Sequence, residues 1–281
     1  MIEEYKSIKN IAWKVMENAE KVLDEKKNIL EIAEFLEKNI LELGAEIAFP
    51  VNICVNHIAA HYTADINETY ILKKGDVVKI DIGCHINGFI VDIAKTFCIK
   101  ENNEMIKIVD KCLEEAKKVV KEGNKISEVG YVVEEIIKDT NLKVIRNLTG
   151  HRIDKFGLHA KPSIPNYKNF SSEVFEKDNI YAIEIFLTNG NGWVKESTYS
   201  NIFQFNKYVG VRNETARKIL ELADKKFKRL PFAKRWLKEF SLSVLEFSLN
   251  ELLNKNALKK YPVLIEDGNG IVVQAEDTFF I

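Results

Sequence analysis

The sequence has few cysteines, and none stand in pairs. Cys54, Cys84, Cys98 and Cys112 lie 30, 14 and 14 positions apart without a CxxC motif, which excludes a cysteine-rich zinc module and a disulfide framework and predicts reduced, buried thiols. No run of 18 apolar residues occurs, so a spanning helix is not expected. The first thirty residues mix Glu, Lys and Asp into an apolar pattern, unlike a signal or transit peptide, and the expected location is the cytoplasm. Nor is there an excess of charge: 41 Lys+Arg against 42 Asp+Glu leaves a net of −1, and no global field draws the chain to DNA or to an anionic membrane. Low-complexity linkers are absent too.

What is present is a length of 281 residues with 46% hydrophobic content, enough for a large core that buries roughly 75% of the unfolded surface. Ile8, Ile11, Ala12, Val15, Met16, Ala19, Val22 and Leu23 form the stripe of an amphipathic helix. A second stripe runs through Ile29, Ile32, Ala33, Leu36, Ile40 and Leu41 and ends at Gly44. Strands are predicted at 47–55, 77–82 and 89–99. The rhythm then repeats: helices through 108–120 and 129–137, followed by strands at 142–148 and 180–187. Two rounds of helix, helix and strands imply an α+β fold of two similar halves. Residues 211–261 interrupt this order and read as helical throughout, an insertion before the last strands at 263–266 and 271–281.

The segment "VVKIDIGCHINGFIVDIAKTF" carries the strongest local signal, because Asn87-Gly88 between alternating apolar residues predicts a two-residue hairpin. In that register Gly83 faces Asp92, and Asp81 becomes a diagonal neighbour of Asp92 on the same sheet face, about 7–8 Å away at the backbone. Taken alone, each aspartate also fits a solvated strand position. All five histidines, His57, His61, His85, His151 and His159, fall between positions 57 and 159, and "NLTGHRIDKFGLH" can aim two imidazoles from one loop. Glu184 in "YAIEIFL" and Glu276 in "IVVQAEDTFFI" are carboxylates in apolar strands, where an unpaired charge is costly. Two Asp, two Glu and a His make an oxygen-rich set suited to paired divalent ions, and the implied chemistry is metal-assisted hydrolysis.

The series "AFPVNI", "HIAAHYT", "KIDIGCHINGFIVDIA", "LTGHRIDKFGLHA", "AIEIF", "LPFAKRWL" and "NGIVVQAEDT" resembles the type 2 methionine aminopeptidases of the archaeal kind along essentially the whole chain. The resemblance implies a single pita-bread catalytic domain over 1–281, interrupted by a helical insertion at about 211–261. It implies two divalent ions per chain, Co, Mn, Fe or Zn. Asp81 is the expected ligand of one, Asp92 and Glu276 bridge both, and His151 with Glu184 complete the second. Glu184 is the expected base, His61 the histidine near the substrate amine, His159 the donor to the scissile carbonyl, and Phe49 a wall of the methionine pocket. The implied reaction removes methionine from the N-termini of nascent polypeptides, at the ribosome, by a metal-bridged hydroxide, and the expected state is a monomer with neither DNA nor membrane as partner.

Three positions depart from the usual type 2 pattern. Ile185 stands where "EPF" or "ETF" is common, Asp277 where "EHT" is common, and His57 where Glu or Asn is usual. Beside Glu276, Asp277 is expected to alter metal preference, and His57 is expected to face water. A prolidase or aminopeptidase P shares the ligand set, but those chains usually carry a histidine before the "GH" element, and Asn147 to Gly150 contains none. A non-catalytic RNA- or ribosome-binding relative is expected to have lost the ligands, and here all five are present.

Overall fold

In a computed structural model, which describes residues 2–281, helix α1 (Ile2–Val22) buries Tyr5, Ile8, Ala12, Val15, Met16 and Ala19 at helical spacing. Helix α2 (Ile29–Glu42) begins where the Asn28 side chain accepts the Leu30 N–H and ends just before Gly44, whose φ of 89° suits a residue without Cβ. Strands β1 (Glu46–Val55), β2 (Ile58–Ala60), β3 (Val77–Ile86) and β4 (Phe89–Cys98) follow. The turn between β3 and β4 is Asn87-Gly88, with φ of 52° and 85°, and it sets the predicted register of Ile86 opposite Phe89 and Gly83 opposite Asp92. Helices α3 (Glu104–Lys117) and α4 (Ser127–Ile137) open the second round. After them come β5 (Lys143–Val144), β6 (Thr149–Asp154), β7 (Gly157–Pro165), β8 (Ile180–Thr188), β9 (Val194–Glu196) and β10 (Ile202–Phe205). Helix α5 (Glu214–Glu221), β11 (Phe232–Ala233), α6 (Leu242–Asn254), β12 (Leu258–Tyr261), β13 (Leu264–Glu266) and β14 (Val272–Phe280) complete the chain.

The main sheet has eight strands in the order β1-β3-β4-β14-β8-β6-β7, with β5 attached to β8. Helices cover one face only. On the first half, α1 and α2 pack with Ile80, Ile82, Val91 and Ile93, and on the second, Val109, Leu113, Val129 and Val133 of α3 and α4 pack with Ile183, Ile185, Val273 and Ala275. Side chains alternate between faces along each strand, so Asp81, Asp92, Glu184 and Glu276 project from the opposite face. The two rounds read in the sequence are thus the two halves of one sheet, joined where β4 meets β14.

Five expectations are corrected. The strand at 142–148 is only β5, because the chain leaves the sheet after Ile145 bonds to the Phe186 carbonyl. His151 and His159 lie on the paired strands β6 and β7 rather than on a loop; the segment hides its strand character because one face looks onto a polar cavity and carries no apolar alternation. The block 211–261 is not helical throughout, since β11 and β12 flank β10 in a three-stranded sheet, around which Ala216, Ile219, Leu220, Leu245, Leu249 and Leu252 pack. Of the cysteines, all free, Cys98 is only half-buried.

The fifth correction concerns Asp277. As the residue next to Glu276 on a strand, it points to the helix side of the sheet, where its carboxylate meets Lys9 of α1 at 2.8 Å and Lys117 of α3 at 3.6 Å. Its charge ties the helices of the two halves together and has no path to the site face. Ile185 likewise packs among the α3 and α4 side chains, and His57 sits half-buried in the turn between β1 and β2. Because both lysines are partly exposed, Asp277→Ala is expected to cost about 1–3 kcal/mol of stability, read as a lower urea midpoint, with divalent-cation binding unchanged. A changed metal preference with unchanged stability contradicts this placement.

Candidate metal centre

Strand register assembles the site in two rows. Asp81 is opposite Ala94, Ala94 opposite Glu276, and Glu276 opposite Glu184, so three carboxylates and one methyl lie in line across β3, β4, β14 and β8. Asp92, paired with Gly83, and His151, paired with Ala182, belong to the adjoining row. Asp92, His151 and Glu276, all buried, offer ligand atoms within 4.8 Å of one another, and His151 Nε2 lies 3.8 Å from Asp92 Oδ2. Asp81 and Glu184 flank this trio in the same cavity. The small Ala94 leaves the space between Asp81 and Glu276 open.

Burial alone pushes every one of these carboxyls up. Asp81 rises to about 7, and Glu184 rises well above its ordinary range, with the Asp81 charge adding to desolvation. Asp92 and Glu276 are likewise raised well above their ordinary range, by burial first and then by neighbouring carboxylates: Asp81 and Glu184 at Asp92, and Asp92, Glu184 and Asp81 at Glu276. No described lysine or arginine neutralises them. Lys79, buried on the same face two residues before Asp81, gives its protons to the carbonyls of Asn56 and Val272, each at 2.9 Å. Asp81 Oδ1, Asp92 Oδ1 and Glu276 Oε1 are buried without a hydrogen-bond partner. Four clustered carboxyls, Asp92 and Glu276 buried and Asp81 and Glu184 half-buried, three of them with an orphaned oxygen, fit divalent cations, which supply the missing positive charge and take oxygen ligands.

The histidines are arranged to match. His151 Nδ1 lies 3.3 Å from the Arg152 carbonyl, so that nitrogen carries the proton and Nε2 presents its lone pair toward the carboxylates. Burial and the neighbouring His159 hold its pKa down to about 3. His61 adopts φ of 62°, and its Nδ1 reaches the Pro262 carbonyl at 3.2 Å; burial first, then His159, lowers it to about 4. His159 is also depressed by burial, and its ring centroid lies 4.7 Å from that of His151. Phe49, Leu158, Ile202, Pro231 and Tyr261 form the apolar side of the cavity. Phe49 lies so tightly on Gly83 that a Cβ there would come within 2.0 Å of the ring, which explains a glycine inside a strand.

Residues 3–221 match metallopeptidase family M24. The chain belongs to that family. The methionine aminopeptidase of Archaeoglobus fulgidus is 42% identical over 95% of this chain and 90% of its own length. The methionine aminopeptidase of Methanocaldococcus jannaschii is 39% identical over 96% and 92%. Among solved structures, a thermophilic Arx1 superposes with a TM-score of 0.84 at 18% identity, covering 99% of this chain and 87% of that one, a likeness of fold alone. The α+β pita-bread fold, in two helix-helix-strand halves, is the M24 architecture observed here, and the chain is an enzyme whose family implies divalent-metal use. No described helix is long and apolar enough to cross a membrane.

Of the eight residues given a role in the sequence reading, Phe49, His61, Asp81, Asp92, His151, His159 and Glu184 line this cavity, and Glu276 offers a ligand atom within 4.8 Å of those of Asp92 and His151. Sequence reasoning missed Tyr261, whose ring meets His61 edge-on with centroids 5.2 Å apart, because it stands at the end of a block read as helix. It also missed Gln274, whose Nε2 lies 3.1 Å from Glu276 Oε2 and 3.4 Å from Glu184 Oε1. Position 274, two before Glu276 on an alternating strand, was the available signal.

The pKa shifts fix a pH dependence. A carboxyl whose folded pKa is raised contributes stability below its unfolded pKa, about 4, that is lost as pH rises through the folded value; for Asp81 that value is about 7. The depressed histidines act in the opposite sense, but only below their unfolded pKa of about 6.5. Chelator-treated protein is therefore expected to lose stability as pH rises above about 6.5 and through the Asp81 value of about 7, and added divalent cation to raise Tm more at about pH 8 than at about pH 5.5. A flat profile with no cation effect contradicts the buried-carboxylate account.

Proposed function

We propose that this chain is a metalloaminopeptidase that removes the N-terminal methionine from polypeptides. The observation that carries this reading is the confluence in one cavity of a carboxylate-rich cation site and an apolar pocket closed by Phe49, Leu158, Ile202, Pro231 and Tyr261. Two divalent ions are assigned, with Asp81, Asp92, His151, Glu184 and Glu276 as ligands. When bound, they lower the pKa of a water and polarise the peptide carbonyl.

Each remaining task falls to a residue whose state the structure constrains. Glu184, raised well above the usual carboxylate range by burial, is suited to take the proton a nucleophilic water gives up and to pass it to the leaving amine. His61 carries its proton on Nδ1 toward Pro262, leaving Nε2 to accept a hydrogen bond from the substrate's amino end. Neutral His159 donates to the carbonyl oxygen that gains charge during attack. The aromatic walls Phe49 and Tyr261 suit a thioether side chain, which packs against ring edges. The substrates are the N-termini of newly made polypeptides, and the chain is assigned as a cytoplasmic monomer that meets them at the ribosome.

The test is a peptide panel. Met-Ala-X is expected to be cleaved more than about tenfold faster than Lys-Ala-X, because an ammonium buried without a partner is costly in an apolar pocket; equal rates exclude the assignment. Within the same site, His151→Ala is expected to lower both metal affinity and rate. His159→Ala is expected to keep its metal while kcat falls by about 10²–10³. Loss of metal from His159→Ala reverses the two roles.

A further inference from the structure

The seam between the two half-sheets is held in an unusual way. Where β4 meets β14, Ala94 and Glu276 are the one directly opposed pair among the described residues. On either side of that pair a threonine hydroxyl replaces the backbone ladder. Thr278 Oγ1 accepts the Asp92 N–H at 2.8 Å and donates to the Asp92 carbonyl at 2.7 Å. Thr96 Oγ1 accepts the Gln274 N–H at 2.8 Å and donates to the Gln274 carbonyl at 2.6 Å. The arrangement is reciprocal: each threonine lies two residues after the central pair on its own strand and serves the residue two before it on the other. Both threonines are buried.

The consequence is geometric. A regular ladder draws adjacent backbones to about 4.7–4.9 Å, whereas here the threonine side chain stands between its own backbone and the N–H and carbonyl it bonds on the other strand, which holds the two backbones further apart. The carboxylates of Asp92 and Glu276 emerge within this widened stretch, on facing strands. We propose that Thr96 and Thr278 are positioning residues that set the width of the seam, and thereby the cation-sized gap between Asp92 and Glu276. The proposal rests on the metal-centre reading above. The two hydroxyls act on different ligands. Thr278 fixes the peptide of Asp92 itself, and Thr96 fixes Gln274, whose side-chain nitrogen is within 3.1 Å of Glu276 and 3.4 Å of Glu184.

Valine keeps the branched shape of threonine but cannot bridge, so Thr278→Val leaves the buried Asp92 N–H and carbonyl unpartnered while the packing is preserved. Co²⁺ titrated into the chelator-treated full chain, followed by calorimetry and visible absorption, measures affinity and coordination geometry independently of turnover. Thr278→Val is expected to weaken Co²⁺ binding by about ten- to hundredfold, as loss of a group supporting a ligand does, and to alter the absorption band. It is expected to lower kcat with KM for a Met-Ala peptide changed less than about threefold. Thr278→Ser, which restores the hydroxyl, is expected to return affinity to within about threefold of the parent. If Thr278→Val does not fold, Thr96→Val carries the same test from the other side of the pair. A folded valine variant with parental affinity and spectrum overturns the proposal, as does a serine variant no better than valine. Absence of Co²⁺ uptake by the parent chain overturns the metal-centre reading itself, and this proposal with it.

Discussion

Four carboxyl groups clustered on one face of a sheet, two buried and two half-buried, with no cationic side chain among them, are the constraint around which this molecule is organised. Burial raises all four, and repulsion from neighbouring carboxylates adds to it at Asp92 and Glu276. Left as anions they oppose the folded state; protonated they can neither bind a cation nor serve as a base. Divalent ions resolve the conflict, and folding energy is thereby stored as affinity for them. The apolar surfaces elsewhere, with helices packed on the opposite face from end to end, supply the stability that lets such a cluster persist.

Strand parity divides the labour. On β14, Gln274, Glu276 and Thr278 face the site, while Val273 and Ala275 join the helix-side core and Asp277 meets Lys9 and Lys117. One strand therefore delivers the carboxylate of Glu276, the Gln274 amide beside it and the Thr278 hydroxyl that holds Asp92 to one side, and an inter-helix ion bridge to the other. The departures Ile185 and Asp277 leave the ligand face unaltered for this reason. A substitution one position along a strand changes which layer of the protein it concerns.

The block between β10 and β12 completes the pocket by gripping the segment that bears His61. Arg235, buried, donates to Thr63 Oγ1 at 2.6 Å and to the Ala64 carbonyl at 3.1 Å, and pairs with Glu37 of α2. Trp236 donates to the same Glu37 at 2.9 Å, and Lys234 meets Asp65 at 2.8 Å. This network locks Pro231 and Tyr261 over the cavity that the sheet leaves open. Much of the basic charge in "KRLPFAKRWLK" is paired internally: Lys228 with Glu46, Arg229 with Asp224, Lys234 with Asp65 and Arg235 with Glu37.

The sequence by itself determined the four helices of the two rounds and the hairpin, because the helix stripes repeat at helical spacing and Asn87-Gly88 admits a tight turn whose register follows by counting. That count alone placed Asp81 and Asp92 on one face. It also supplied the buried anomaly of Glu184 and Glu276, since a carboxylate among apolar strand residues is legible without coordinates. Only the tertiary structure decided which strands are neighbours. Asp92 and Glu276 are separated by 184 positions, and their approach depends on β14 returning between β4 and β8, a long-range pairing that no local preference encodes. The same holds for Tyr261, Gln274 and the two seam threonines, whose roles arise from partners contributed by distant strands. Local physics fixes which face a side chain takes, and the closure of the sheet fixes what it meets there.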